Sequence, residues 1–299
     1  MKLGYYSSKK FAMRRTGLTV DDIEIIDLNC VGIDSLSHAF NHLDDSDRLI
    51  RLASRSTIRV PISEAFMDAP VDHQEIWAAG VTYLRSKAAR MEESDFSATA
   101  YDRVYEAARP EIFFKSLSSK VKGPTAAVGI RSDARWSVPE PELVLVFNRS
   151  GERVGYTIGN DMSSRDIEGE NLLYLPQAKS YTASCAIGPW IRVGVDEAEA
   201  RSWGIRMDIV RAGARVFHGS TQVSQIKRSF DELGRWLHRC QHFPFGSMLL
   251  TGTGIVPPNE FTLADGDRVV IEIDGIGRLE NSVGVVPEHS RSSVYWSDS

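Results

Sequence analysis

Long apolar runs are missing from this chain, and so are the motifs that mark the commonest enzyme classes. No stretch approaches about 18 consecutive apolar residues, the length of a membrane-spanning helix, and Met1–Tyr6 holds no run of signal-peptide length. Cysteine is sparse: Cys30, Cys185 and Cys240 form neither a CxxC pair nor an even-numbered framework, which suits a reducing compartment. Neither sign of charge dominates, with 35 Lys+Arg against 40 Asp+Glu and a net charge of -5. That balance offers no field for nucleic acid or an anionic membrane, and an acidic substrate would need its own local cation. Histidine is absent from the middle of the chain, none of the seven lying between His73 and His218. GxGxxG, GxxxxGKS/T, HExxH and GxSxG are all absent, which removes the usual nucleotide, zinc-protease and serine-hydrolase readings. The expectation is a soluble, cytoplasmic protein with no nucleic-acid or membrane partner.

What is present is an ordinary globular composition, 42% hydrophobic and 25% charged. Residues 1–70 read as a small N-terminal unit, with a strand within Asp21–Leu28, a helix within His38–Leu52, and Pro61 and Pro70 near the join. Residues 71–299 form a strand-rich body. Its strands are expected at Glu142–Phe147, Arg153–Ile158, Ile205–Arg211 and Arg268–Ile273, and Asn148–Gly151 supplies a hairpin turn. Two helices are expected, a charged one over Arg85–Glu93 and another over Ser229–Cys240. The second places Phe230, Leu233, Trp236, Leu237 and Cys240 at helical spacing, a stripe suited to core packing.

The chemistry concentrates in Pro139-Glu140-Pro141-Glu142-Leu143. Side chains two apart on a strand share a face, about 6.5–7 Å along it. With a turn centred on Arg149 and Ser150, Glu142 faces Thr157, Glu140 faces Gly159, and Asp161 falls one step further on the same face. Three carboxylates then converge, with Gly159 leaving room between them. Clustered like charges repel unless a cation joins them. An all-oxygen set favours Mg²⁺, Mn²⁺ or Ca²⁺ over zinc or copper. The alternative reading is a solvated acidic edge strand.

The runs Arg109-Pro110-Glu111-Ile112-Phe113-Phe114-Lys115, Pro139–Leu143, Gly155–Asp166 and Thr251-Gly252-Thr253 together resemble the fumarylacetoacetate hydrolase superfamily, from about residue 75 to 286. Glu168–Lys179 is similar to the branch of 2-keto-3-deoxy-arabinonate and 2-keto-3-deoxy-xylonate dehydratases, which make 2-oxoglutarate semialdehyde. The resemblance implies an α+β, β-rich fold: a mixed β-roll catalytic domain behind a small N-terminal α/β domain, assembled as a homodimer or dimer of dimers. It implies Mg²⁺ on Glu140, Glu142 and Asp161, the same three residues the hairpin selects. Lys179 matches a lysine beside the substrate, Arg165 and Thr253 match positions lining the site, and Glu111 and Lys115 lie in a motif shared by the dehydratases. Two departures stand out. Hydrolases of the superfamily carry a histidine soon after a tyrosine, yet Thr82-Tyr83-Leu84-Arg85-Ser86-Lys87 has none. The dehydratases usually carry proline where this chain has Leu172.

The expected function is Mg²⁺-dependent dehydration of a 2-keto-3-deoxy sugar acid through a metal-stabilised enolate. Lys179 would serve as base or enolate stabiliser and Glu111 as proton shuttle to the leaving hydroxyl, while Arg165, Thr253 and Lys115 bind substrate. Three alternatives stay open: an acylpyruvate-type hydrolase, an oxaloacetate decarboxylase, and a metal-stabilised structural protein without catalysis.

Overall fold

The computed structural model describes residues 1–43, 46–83 and 103–288. The expected helix over residues 85–93 lies outside the described residues. An eleven-stranded sheet runs through the molecule in the order Arg59–Pro61, Glu24–Asp27, Phe11–Thr19, Lys2–Ser8, Cys185–Val193, Arg153–Asp161, Pro141–Phe147, Ser247–Leu250, Glu75–Gly80 and Glu111–Leu117, with Ala65–Asp68 also paired to Lys2–Ser8. A five-stranded sheet comprises Ala214–Gln222, Gly204–Arg211, Arg268–Ile273, Gly277–Val286 and Val128–Arg131. Ser247–Leu250 runs parallel to Glu75–Gly80, and Gly277–Val286 parallel to Val128–Arg131, so both sheets are mixed. The large sheet crosses residue 70 without a break, since Lys2–Ser8 pairs with Cys185–Val193.

Pro141–Phe147 lies in the middle of this sheet and is buried along its whole length. Its apolar run is therefore continuous, as expected of a strand covered on both faces. Leu143 and Leu145 join a core with Ile205, Met207 and Ile271 of the second sheet. Val144 and Val146 join another with Leu3, Leu18, Leu36, Phe40 and Leu49 from the N-terminal region.

The hairpin forms as expected, but in a different register. Asn148 closes a wider turn, its side-chain oxygen accepting from the amides of Ser150 (2.9 Å) and Glu152 (3.0 Å), with Gly151 at φ +80°. A bulge follows, because Val146 pairs with Gly155 while Phe147 pairs with Arg153. Glu142 therefore stands opposite Gly159, and the Asp161 amide donates to the Glu140 carbonyl at 2.9 Å. Turn and bulge together displace the partner strand by two residues, which preserves every side chain's face. The space at Gly159 is taken up by Val144 and Leu250, whose atoms lie 2.7 and 3.0 Å from where a Cβ would stand.

Other expected elements are shorter than their sequence patterns. The first strand narrows to Glu24–Asp27, and the region around His38 splits into Leu36–Phe40 and Ser46–Ala53. The later helix spans Phe230–Leu237, its start capped by the Ser229 hydroxyl accepting from the Glu232 amide at 3.1 Å. Phe230, Leu233 and Leu237 are buried, whereas Cys240 lies beyond the helix, exposed and at φ +62°. Trp236 is half-buried beneath the Arg109 and Arg239 guanidinium groups.

Because Leu3 belongs to the core that also holds Val144 and Leu250, Leu3→Ala should destabilise the whole protein by about 2–5 kcal/mol. Near- and far-UV circular dichroism should report one shared denaturant transition. Separate melting of the N-terminal region would show that residue 70 divides two energetic units.

Candidate active site

The carboxylates of Glu140, Glu142 and Asp161 gather at the end of the hairpin, only 3%, 2% and 1% exposed. One oxygen from each lies within 4.8 Å of the other two. Burying three negative charges together requires countercharge, and the fold brings it from three directions. Arg165 opens the helix Arg165–Glu170, and its Nη2 donates to Glu140 Oε1 at 2.8 Å. Lys179 ends the helix Leu175–Lys179. Its Nζ bridges Glu140 Oε2 and Asp161 Oδ2, the latter at 3.2 Å. Lys115, on the edge strand Glu111–Leu117, reaches in from behind, with Nζ 2.6 Å from Asp161 Oδ1.

Lys115 is fully buried, and its ammonium donates to the carbonyls of Met162 (3.0 Å) and Lys179. It faces Asp161 and the backbone and is not among the residues lining the cleft, although the sequence reading placed it against substrate. Arg165 likewise lies behind Glu140, buried at 2% exposure, and is not among the residues lining the cleft. Thr253 does line the cleft, but its hydroxyl turns back on the chain, donating to the Ile255 carbonyl (3.2 Å) and accepting from the Ile255 amide (3.1 Å). Glu111 pairs with Gly80 across two strands, and its carboxylate fills the space a Cβ at residue 80 would need, 2.1 Å from that point. Gly80 lines the cleft, whereas Glu111 itself is not among the lining residues.

Glu142 differs from its neighbours. The Gly252 amide donates to Glu142 Oε2 at 2.6 Å, but no described residue forms an ion pair with it. Burial, reinforced by Asp161 and Glu140, pushes its carboxyl well above the usual carboxylate range, against the pull of Lys179 and the Gly252 amide. A buried carboxyl short of positive charge, beside two more oxygen donors, suits a hard divalent cation. Gly252 supplies its amide from φ +88°, and a Cβ there would stand 2.1 Å from Thr82 Oγ1. Residue 252 must therefore be glycine on two counts.

Beside the carboxylates, the cleft is lined by Ala79, Gly80, Val81, Phe113, Lys179, Gly252 and Thr253. The sequence reading missed Ala79, Gly80, Val81 and Phe113. Phe113 lies within a singled-out motif, but nothing in the local pattern marks Val81. Cys185 stands opposite Asp161 in the sheet, fully buried, and its thiol is pushed up to about 12 by burial, so it is no nucleophile. None of the six described histidines lines this cleft.

A buried oxygen-donor cluster at the end of a hairpin, flanked by a lysine and set in mixed sheets, defines a metal-type site in a β-rich enzyme fold. The signature of the fumarylacetoacetate hydrolase C-terminal domain matches residues 75–284, and the chain belongs to this family. A protein of Haloferax volcanii named "probable 2-keto-3-deoxyxylonate dehydratase" is 48% identical over 229 residues, 75% of this chain and 78% of that one. The 2-dehydro-3-deoxy-D-arabinonate dehydratase of Saccharolobus solfataricus is 36% identical over 283 residues, 93% of each chain. The solved structure of a 2-keto-3-deoxy-D-arabinonate dehydratase complexed with magnesium and 2,5-dioxopentanoate superposes with a TM-score of 0.82 at 32% identity, covering 96% of this chain and all of that one.

Below its raised pKa Glu142 carries a proton, which an arriving cation must displace. Since the group is an acid with a raised pKa, the proton is bound below that pKa and absent above it. Cation affinity should therefore rise with pH, by up to about tenfold per unit for one proton, and level off once the metal-free carboxyl has ionised. Calorimetry in two buffers of different ionisation heat should detect the released proton, and Glu142→Gln should abolish both release and slope. A pH-independent wild-type affinity would refute this account.

Proposed function

We propose that this protein is a Mg²⁺-dependent dehydratase, a hydro-lyase acting on a 2-keto-3-deoxy sugar acid of the pentonate class and yielding 2-oxoglutarate semialdehyde, which is 2,5-dioxopentanoate. The observation that carries this reading is the cluster itself: three buried carboxylates within 4.8 Å of one another, two of them bridged by Lys179. The dehydratase relatives, matched over up to 93% of the chain, support it.

Glu140, Glu142 and Asp161 would hold the ion. Bound there, Mg²⁺ supplies Lewis acidity toward the carboxylate and keto oxygens of a 2-keto acid, easing loss of a proton from C3. Lys179, fixed between Glu140 and Asp161, handles the C3 proton at its Nζ. Glu111, beside Gly80, delivers a proton to the C4 hydroxyl as the C4–O bond breaks and water leaves. Loss of a C5 proton with protonation at C3 then turns the resulting 3-ene into an enol, which takes up a proton at C4 to give the C5 aldehyde. Arg165 and Lys115 hold Glu140 and Asp161 in place from behind, and Thr253 and Phe113 shape the walls. A homodimer or dimer of dimers in the cytoplasm completes the proposal. Among the described residues no helix is long and apolar enough to cross a membrane.

Glu140→Gln, Glu142→Gln or Asp161→Asn should each remove dehydratase activity with the fold retained, and EDTA should have the same effect. Lys179→Ala should still bind pyruvate in the presence of Mg²⁺ but lose kcat by about 10²–10⁴-fold. In D₂O, wild type should exchange the C3 hydrogens of a 2-keto acid lacking a C4 hydroxyl, and Lys179→Ala should not, as followed by NMR. Absence of exchange in wild type, with acylpyruvates cleaved instead, would overturn dehydration in favour of hydrolysis.

A further inference from the structure

The strand Glu75–Gly80 ends at the cleft, and the next residue, Val81, adopts φ +53°. For a β-branched side chain this left-handed conformation is an outlier, while glycine would adopt it freely. Two anchors impose it. Gly80 is held by its pairing with Glu111. Thr82 is held from both sides, its hydroxyl donating to the Thr251 carbonyl at 2.5 Å and its carbonyl accepting from the Lys227 amide at 3.0 Å. The one residue between these anchors must turn the chain.

Strain of this kind persists where surrounding contacts outweigh it. The Val81 side chain is 5% exposed and packs with Tyr105, with Leu172 and Val104 against the same cluster. Val81 also lines the cleft, together with Phe113 and the three carboxylates. A side chain kept where glycine would relieve the backbone is there for what it touches.

We propose that Val81, backed by Tyr105 and Leu172, is the wall that limits the length of the 2-keto acid, admitting five carbons and rejecting six. This rests on reading the cleft as a 2-keto acid site. The acid's carboxylate and keto oxygens belong at the Glu140–Glu142–Asp161 end, so its tail is what meets Val81. Tyr105 and Leu172 stop Val81 from retreating, and a close-packed wall does not yield to one more carbon. In a sugar acid that carbon also carries a hydroxyl, which would be buried against valine without a partner. Leucine at residue 172 fills this second layer from the loop beside the cleft.

The test is calorimetry on Mg²⁺-loaded protein with unreactive straight-chain 2-keto acids from pyruvate to 2-oxoheptanoate. Wild-type affinity should fall by roughly tenfold or more between five and six carbons. In Val81→Gly and Val81→Ala the fall should move to seven carbons or beyond, and Leu172→Ala should shift it in the same direction by less. Val81→Gly guards against misfolding as the explanation, because it relieves the backbone while removing the wall; its thermal unfolding is measured alongside. If both Val81 variants keep the fall between five and six carbons, or lose affinity equally for every acid, Val81 is a structural residue and the proposal fails. If wild type binds none of the acids, the 2-keto acid reading itself fails, and the wall with it.

Discussion

Charge balance inside a dry pocket is the constraint on which the rest of this molecule depends. Glu140, Glu142, Asp161, Lys115, Arg165 and Lys179 are each at most 3% exposed, and ionic groups so placed are tolerated only when paired at short range. The pairing explains otherwise arbitrary features of the fold. The chain leaves the hairpin at Asp161, makes the short helices Arg165–Glu170 and Leu175–Lys179, and returns as Cys185–Val193 beside the strand it left. That excursion places Arg165 against Glu140 and Lys179 between Glu140 and Asp161. The edge strand adds Lys115 behind Asp161, and the turn at Gly252 adds an amide to Glu142. Among the described residues, three cations pair with two of the carboxylates, and the third accepts from a neutral amide.

The carboxylate cluster was legible in the sequence because it needs only local periodicity. Period-two alternation puts Glu140 and Glu142 on one face, and a hairpin brings Asp161 across to it. Even an incorrect register did no harm. The wide turn at Asn148 and the bulge before Gly155 each shift the partner strand by one residue, and two shifts restore the original face. A single bulge would have sent Asp161 to the opposite side of the sheet. The placement of the charged partners was less legible. Arg165, Lys179 and Lys115 could be singled out by motif, but which of them faces substrate depends on where two helices and an edge strand dock. Lys115 shows the consequence, since its neighbours Phe113 and Phe114 suggest a binding surface while its own ammonium is turned inward to Asp161 and two carbonyls.

Elements defined by apolar patterning alone were found with blurred ends. The stripe continuing to Cys240 stops at Leu237 because His238 caps the helix and the chain turns left-handed at Cys240. The stretch around His38 carries one pattern but forms two helices, Leu36–Phe40 and Ser46–Ala53. Periodicity reports which face is apolar, whereas helix ends are set by caps and by the neighbours that take over the last carbonyls.

The two sides of the cleft are built by different physics. The carboxylate side is held by charges whose positions follow from strand spacing, so a substitution there breaks a balance shared by six groups and has few acceptable replacements. The apolar side is held by packing among Val81, Tyr105 and Leu172, residues far apart in sequence that meet through tertiary structure. Hydrophobic contacts of this sort accept many side chains at modest loss, so this side can change shape without disturbing the ions opposite. A fold divided in this way can keep one metal chemistry while its choice of 2-keto acid changes. It also explains why the metal cluster was easier to read from the sequence than the substrate: the first is encoded in spacing along a strand, the second in contacts that no single stretch of chain contains.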